Sequence, residues 1–499
     1  MPPSRRALIQ SSARAAALSA AMLAGCVSDR AAAPAGPTPA PAAERDAAER
    51  AKDLASFDQV WTTVRDQHYD PALNGVDWEK ARAELRPRVE SARDREQARD
   101  AMRELLARLG QSHFAVLPAD AYEAPEAAPA RRAAPIGDGA QHAGAPGSQA
   151  GVPTAGAWAA GSAVPRPGEG ETGVRVRMID GQPIVAAVDP RSLAHHAGVR
   201  PGWRLVRIGG REVAPVLERL AKAAPEPRTL PTMQAMALES RLATDAGGSV
   251  WATFEDGAGR EFDVAVPSGT PRGNASKMMN LPETHVRLDD RWLDGRVGYI
   301  SLNIFLDPAR VMDAFGKAVE RFRDGGARGL VIDLRGNPGG VGAMAMGMGG
   351  WFVEQPNLRL GEMITRAGRL KFVLNPRLEP YTGPLAVLVD ECSASTSEIL
   401  AGGLKDIGRA RIFGVTTPGM ALPSMIVPLP NGDRFQYAFA NYISAGGKPL
   451  EASGVTPDEP SGLSRAALLA GQDPVLAAAV AWIASAPGGG ARPTPAGSP

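Results

Sequence analysis

The chain has 499 residues, 55 Lys and Arg against 54 Asp and Glu, a net charge of +1 and 44% hydrophobic residues. That balance supplies cores for two or three packed domains and carries no electrostatic footprint for nucleic acid. Two cysteines, Cys26 and Cys392, exclude a disulfide framework, and 56 Gly with 44 Pro point to long segments outside any core.

Residues 1–25 read as a targeting segment, set aside from the fold. Ser4-Arg5-Arg6-Ala7-Leu8-Ile9 resembles a Tat signal, although two basic residues also suit a Sec leader. An apolar stretch from Ala15 to Ala24 follows, and Leu23-Ala24-Gly25-Cys26 resembles the bacterial lipobox. The resemblance implies lipidation of Cys26 and a membrane-anchored protein facing the periplasm. Val27, where lipoproteins retained at the inner membrane carry aspartate, favours the outer membrane.

Residues 26–50 are Ala/Pro-rich and read as a disordered tether. Phe57, Val60, Trp61 and Val64 then fall at helical spacing. A second helix is expected from Trp78 through Val89, and a third from Glu96 to Leu109, stopped by Gly110. This helical domain, 51–118, ends by delivering Gly110-Gln-Ser-His-Phe114. Residues 119–171 lack periodicity and read as a low-complexity linker.

Residues 172–270 form a β-rich unit. Val174–Ile179 alternates as a strand, Pro183–Val188 is another, and Trp251–Phe254 with Glu261–Val266 would close the module. Pro190-Arg-Ser-Leu-Ala-His-His-Ala-Gly-Val199 followed by Pro201-Gly-Trp-Arg-Leu-Val-Arg-Ile-Gly-Gly210 resembles a PDZ domain, with Leu193 replacing the family's proline and Trp203 its aspartate. The resemblance implies capture of a peptide strand, often by its C-terminus. His195 and His196 read as exposed filler on its short helix.

Residues 285–484 read as an α/β core, followed by a disordered tail over 485–499. Val297–Leu302 is a strand, Pro308 opens an amphipathic helix through Phe322, and Gly329–Leu334 is a buried strand running into Arg335-Gly-Asn-Pro-Gly-Gly340. A helix from Val341 to Val353, a strand from Leu385 and a strand over Arg411–Val415 are expected next. Ser424–Leu429 and Phe435–Ile443 flank Pro430-Asn-Gly-Asp433 as a hairpin. Between the Leu385 strand and the helix opening at Glu398 lies Ser393-Ala-Ser-Thr-Ser397. Ser395-Thr-Ser-Glu398 is a capping-box pattern, and Ser395 is either a plain N-cap or a nucleophile beside free helix N–H groups. Cys392 reads as a small buried apolar residue.

Three segments in this order resemble the catalytic core of the S41 serine peptidases: Gly329–Gly340, Val389–Ile399 with Lys405-Asp-x-x-Arg-Ala410, and Leu450-Glu-Ala-Ser-Gly-Val-Thr-Pro-Asp458. The resemblance implies a multidomain α/β protein with an N-terminal helical domain, a PDZ-like β-rich domain and a ClpP/crotonase-like core. It implies Ser395 as nucleophile, with Ser393 and Ser397 structural. Members that use a Ser–Lys pair place lysine where this chain has Met420, and a thioether cannot take the serine's proton. The Ser-His-Glu branch has its histidine in L-G-D-x-H, matched by Leu109-Gly-Gln-Ser-His113, and its glutamate at Glu451. By that resemblance His113 is the base, Glu451 orients it, and Gly339 or Gly340 with Thr396 holds the oxyanion. His68 and His285 have no such motif around them. The expected activity is hydrolysis of peptide bonds in proteins or peptides, without metal or cofactor, the PDZ domain selecting or gating substrate. The rival reading is an inactive peptide-binding scaffold.

Overall fold

The computed structural model describes residues 46–119, 170–223, 227–278, 281 and 283–486. The expected leader, Cys26, His142, most of the linker and nearly all of the tail lie outside the described residues.

Three helices, Ala47–Gln67, Trp78–Glu90 and Arg95–Ala107, open the described chain. Each begins at an aspartate whose carboxylate accepts an N–H of the first turn: Asp46, Asp77 and Asp94. The first starts inside the stretch read as tether, because Asp46 caps it there. Trp61 and Trp78 lock the first two together, each indole N–H donating to the other's carbonyl at 3.1 and 3.0 Å. After the third helix the chain turns at Gly110 (φ +63°) and His113 (φ +62°) into a short strand, Ala115–Leu117.

That strand pairs antiparallel with Arg434–Ala438, which pairs in turn with Ser424–Pro428. The expected hairpin is therefore present, but its second strand ends at Ala438, and the chain restarts as Ala440–Ser444 in another sheet. Phe57, Leu105 and Leu109 share one core with Leu422, Leu429 and Phe435, so the helical region is packed as part of the α/β unit. The hairpin turn is a peg: Asp433 is fully buried, takes both Arg99 nitrogens at 3.0 and 2.7 Å, and accepts the Ala119 N–H at 3.0 Å. Asn431, buried itself, donates to Asp53 at 2.7 Å.

The central sheet runs Leu288–Leu293, Val297–Leu302, Gly329–Asp333, Leu385–Val389, Arg411–Gly414, Glu459–Pro460; the first pair is antiparallel and the rest parallel. Alternation assigns its faces. Leu330 and Ile332 join Phe315, Val319, Leu400 and Leu404 of the helices Pro308–Asp324 and Thr396–Asp406, while Val331, Leu388 and Phe413 pack under the C-terminal helix Pro474–Ser485. The expected helix from Val341 to Val353 is shorter, Ala343–Gly349 with a 3-10 turn over Gly350–Phe352. A hairpin, Leu358–Thr365 with Gly368–Leu374, escapes the sequence pattern because Arg359, Gly361, Arg369 and Lys371 break its apolar alternation.

The β-rich module has the strand order Val174–Ile179, Gln182–Val188, Arg204–Ile208, Ser249–Glu255, Glu261–Pro267. Helices Ala214–Ala223 and Leu230–Leu242, not expected from the sequence, cover it. Trp203 packs its ring on Phe254 and Phe262, which explains an indole at that position.

Candidate active site

Two turns meet at the carboxyl edge of adjacent parallel strands. Arg335–Gly340 leaves the strand ending at Asp333, and Asp390–Ser395 leaves the strand ending at Val389. Backbone and hydroxyl bonds weld them: Ala394 N–H and the Ser397 hydroxyl both donate to the Asn337 carbonyl at 3.0 and 2.9 Å, and the Ser393 hydroxyl donates to Leu334 at 2.8 Å. Ser393 and Ser397 are fully buried in this structural work. Cys392 is buried, and desolvation pushes its thiol well up, so it is no thiolate nucleophile.

Ser395 stands apart from its neighbours. It caps the helix Thr396–Asp406 with φ +54° and ψ −115°, a conformation that costs a non-glycine residue about 1–3 kcal/mol. The Glu398 half of the capping box is formed, its carboxylate accepting the Ser395 N–H at 2.9 Å, so Ser395 is a helix N-cap by position. The strain goes beyond what a cap requires, since caps ordinarily sit in the extended region.

Of the three proposed oxyanion donors, the Gly339 N–H is committed to the Asn337 side chain at 2.9 Å. The Gly340 and Thr396 N–H groups take no partner among the described residues, which favours Gly340 with Thr396. Gly339 has a different reason to be glycine: at φ +100°, a Cβ there would lie 2.6 Å from Ser395 Cβ.

His113 and Glu451 come together through a residue that the sequence reading passed over. Ser112 donates its N–H to Glu451 Oε1 at 2.8 Å and its hydroxyl to Oε2 at 2.9 Å, while its Oγ lies 2.7 Å from His113 Nδ1. Glu451 was expected to orient the imidazole; in the structure Ser112 stands between them. The directions are fixed by donor count. An ionised Glu451 only accepts, so the Ser112 proton points at it, the Ser112 oxygen accepts from Nδ1–H, and Nε2 is left as the basic nitrogen. Burial lowers His113 to about 4, keeping it neutral at physiological pH. Burial raises Glu451, against the donors from Ser112, Ala421 and Leu422. No hydrogen bond joins the Ser395 hydroxyl to His113 in this structure. Proximity is set by adjacent residues: Ser395 N–H donates to the Met420 carbonyl at 2.9 Å, and Ala421 N–H donates to Glu451 Oε2 at 3.1 Å. The signal for Ser112 was its hydroxyl directly before His113.

Met420 is buried, and Lys405, the lysine nearest Ser395 in sequence, is spent on Thr456 and Asp458 at 2.6 and 3.1 Å. His68 is structural: buried, it bonds Gln111 at 2.8 Å and stacks on Phe114, steadying the loop that carries His113. His196 bonds the Ser192 carbonyl at 2.7 Å.

A strained serine at a helix N-terminus and a Glu451–Ser112–His113 chain are the elements of a serine hydrolase site. The profile of Peptidase family S41 matches residues 296–461, and that of the tricorn protease C1 domain matches 49–107. Residues 296–461 thus form an S41 peptidase domain within this chain. It is similar to the carboxy-terminal processing protease CtpB of Bacillus subtilis, 26% identical over 289 residues, covering 57% of this chain and 54% of that protein. It is also similar to a carboxyl-terminal-processing protease of Picosynechococcus, 32% identical over 164 residues, or 33% of this chain and 39% of the relative. This chain thus spans about half the length of the first relative and less of the second. The fold resembles a photosystem II D1 C-terminal processing protease (TM-score 0.51, 22% identity, 82% of this chain and 93% of the other). It resembles mature CPAF in complex with lactacystin similarly (TM-score 0.53, 12% identity, 88% and 98%).

Proposed function

We propose that the chain is a serine endopeptidase of the cell envelope that cleaves proteins or peptides, and that the relatives' C-terminal processing describes its substrate class. The observation that carries the reading is the Glu451–Ser112–His113 relay, which leaves Nε2 basic, in a chain whose S41 domain carries a strained Ser395. Ser395 Oγ attacks the scissile carbonyl while Nε2 of His113 takes its proton. Gly340 and Thr396 N–H groups hold the oxyanion, and His113 then protonates the leaving amine. Water, deprotonated by the same nitrogen, releases the acyl group. The β-rich module serves as the PDZ-like selector, and Cys26 as the lipid attachment point; its replacement by alanine is expected to move the protein from the membrane to the soluble fraction.

The test is cleavage of casein by the soluble chain from residue 27, beside Ser395→Ala and His113→Ala. Activity confined to the wild type is expected. Three inert proteins that still bind peptide would establish the scaffold reading, which Met420 in place of lysine keeps open.

A further inference from the structure

We propose that Glu398 is a positioning residue for Ser395: as the anion, it holds the nucleophile's backbone and the Thr417–Ala421 segment in one frame. The inference rests on the reading of Ser395 as nucleophile. Glu398 is fully buried on the first turn of the helix, and four donors converge on it. Oε1 accepts the Thr417 hydroxyl at 2.6 Å and the Gly419 N–H at 2.8 Å. Oε2 accepts the Ser395 and Met420 N–H groups, both at 2.9 Å. A capping box needs only the bond to Ser395. The other three tie the nucleophile turn to the segment whose next residue, Ala421, holds Glu451.

Only the carboxylate satisfies this set. The Thr417 oxygen accepts the Val455 N–H at 2.7 Å while its hydroxyl donates to Glu398. Protonation at Oε2 would set an O–H against two amide N–H groups; protonation at Oε1 would leave Thr417 or Gly419 without its acceptor. An amide in place of the carboxylate presents its NH₂ to at least one backbone N–H in either orientation.

Among the described residues, no charged side chain pairs with Glu398. Burial raises it to about 7, while the bonds from Thr417, Gly419, Ser395 and Met420 oppose the rise. Titratable groups on the flanking elements are engaged elsewhere. Glu451 is bonded to Ser112 and His113 is held by Ser112; Lys405 pairs with Asp458, and Asp406 accepts the Gly446 N–H at 2.8 Å. Glu391, earlier on the nucleophile turn, is also raised to about 7, by burial and then by Asp390. It therefore serves as the control.

The experiment is the rate of Ser395 labelling by a fluorophosphonate on the full chain, followed from about pH 5.5 to about pH 9. Wild type should lose about tenfold per pH unit below about pH 7. Glu398→Gln should label about 10²-fold more slowly at pH 8 and lose that limb, with circular dichroism showing a folded protein. Glu391→Gln should keep the limb. Thr417→Val, which removes a donor to the anion, should move the limb upward. A folded Glu398→Gln protein that labels like wild type overturns the positioning role alone, as does a limb that vanishes in Glu391→Gln or stays unmoved in Thr417→Val. Should Glu398→Gln not fold, a wild-type profile flat between pH 6 and 8 overturns it. A wild type that labels at no pH overturns both this role and Ser395 as nucleophile.

Discussion

Ser112 changes what each polar residue of the site has to do. A carboxylate bonded straight to an imidazole fixes its tautomer in one step; here the hydroxyl passes the orientation on, and its N–H anchors the same carboxylate. Ser112→Ala is therefore expected to lower kcat by about 10²–10³ with KM little changed, since the hydroxyl orients the base without touching substrate. Steady-state cleavage of a peptide reads it. Gly339→Ala should be worse than its size suggests. The added methyl meets Ser395 Cβ at 2.6 Å at a backbone angle that alanine resists, so both stability and fluorophosphonate labelling should fall. Glu398 has a stability signature opposite to its role in positioning. Burial raises it in the folded state to about 7 from the ordinary glutamate value of 4.5, so its stabilisation is complete below about 4.5 and is lost as pH rises through about 7. That loss is on the order of 3 kcal/mol. Urea unfolding of Ser395→Ala at pH 5 and pH 8, with and without Glu398→Gln, should show the pH difference shrinking in the double variant. In sequence, Ser395, His113 and Glu451 were legible from motif; Ser112 was not, because a hydroxyl in a loop is too common to single out.

At the scale of elements, one three-residue strand decides whether the site exists. Ala115–Leu117 pairs with Arg434–Ala438 and carries the His113 turn to the core. Phe435 is fully buried where the hairpin meets the helices. Phe435→Ala should cost about 3–5 kcal/mol and reduce cleavage with it, as the helical region loosens from the hairpin. A chain beginning at residue 170 lacks His113 and is expected to cleave nothing; an active truncated chain would remove His113 from the reading. The three N-terminal helices were legible because their apolar spacing and Asp caps are local. The Leu358–Leu374 hairpin and the helix Leu230–Leu242 were not, since their apolar residues answer to partners distant in sequence.

Across the whole molecule, the β-rich module is fastened to the nucleophile turn. Arg177, buried on the strand Val174–Ile179, donates to Asp390 at 2.7 Å and to Glu239 at 3.0 Å. Asp390 also accepts the Gly336 N–H at 2.8 Å and the Cys392 N–H at 3.0 Å, so one carboxylate touches the module and both turns of the site. The Arg177 guanidinium holds Asp390 below the usual carboxylate range, against its burial. Arg177→Met leaves that charge without its cation, a loss of about 3–5 kcal/mol that thermal melting should detect. Slower Ser395 labelling should accompany it.

By itself, the sequence determined the N-terminal helices and the strands of the core, because spacing and glycine turns are written locally; the three residues that carry the proposed chemistry came from its resemblance to the S41 motifs. Only the tertiary structure decided that the N-terminal helices share a core with the hairpin. It also placed Ser112 between Glu451 and His113, and brought Glu398 and Glu451 to grip successive residues of one segment. Those outcomes depend on matching buried donors to acceptors outside any one local element, from Thr417 with Glu398 to Ser112 with Glu451, and a buried carboxylate's partners are chosen by the packing around it.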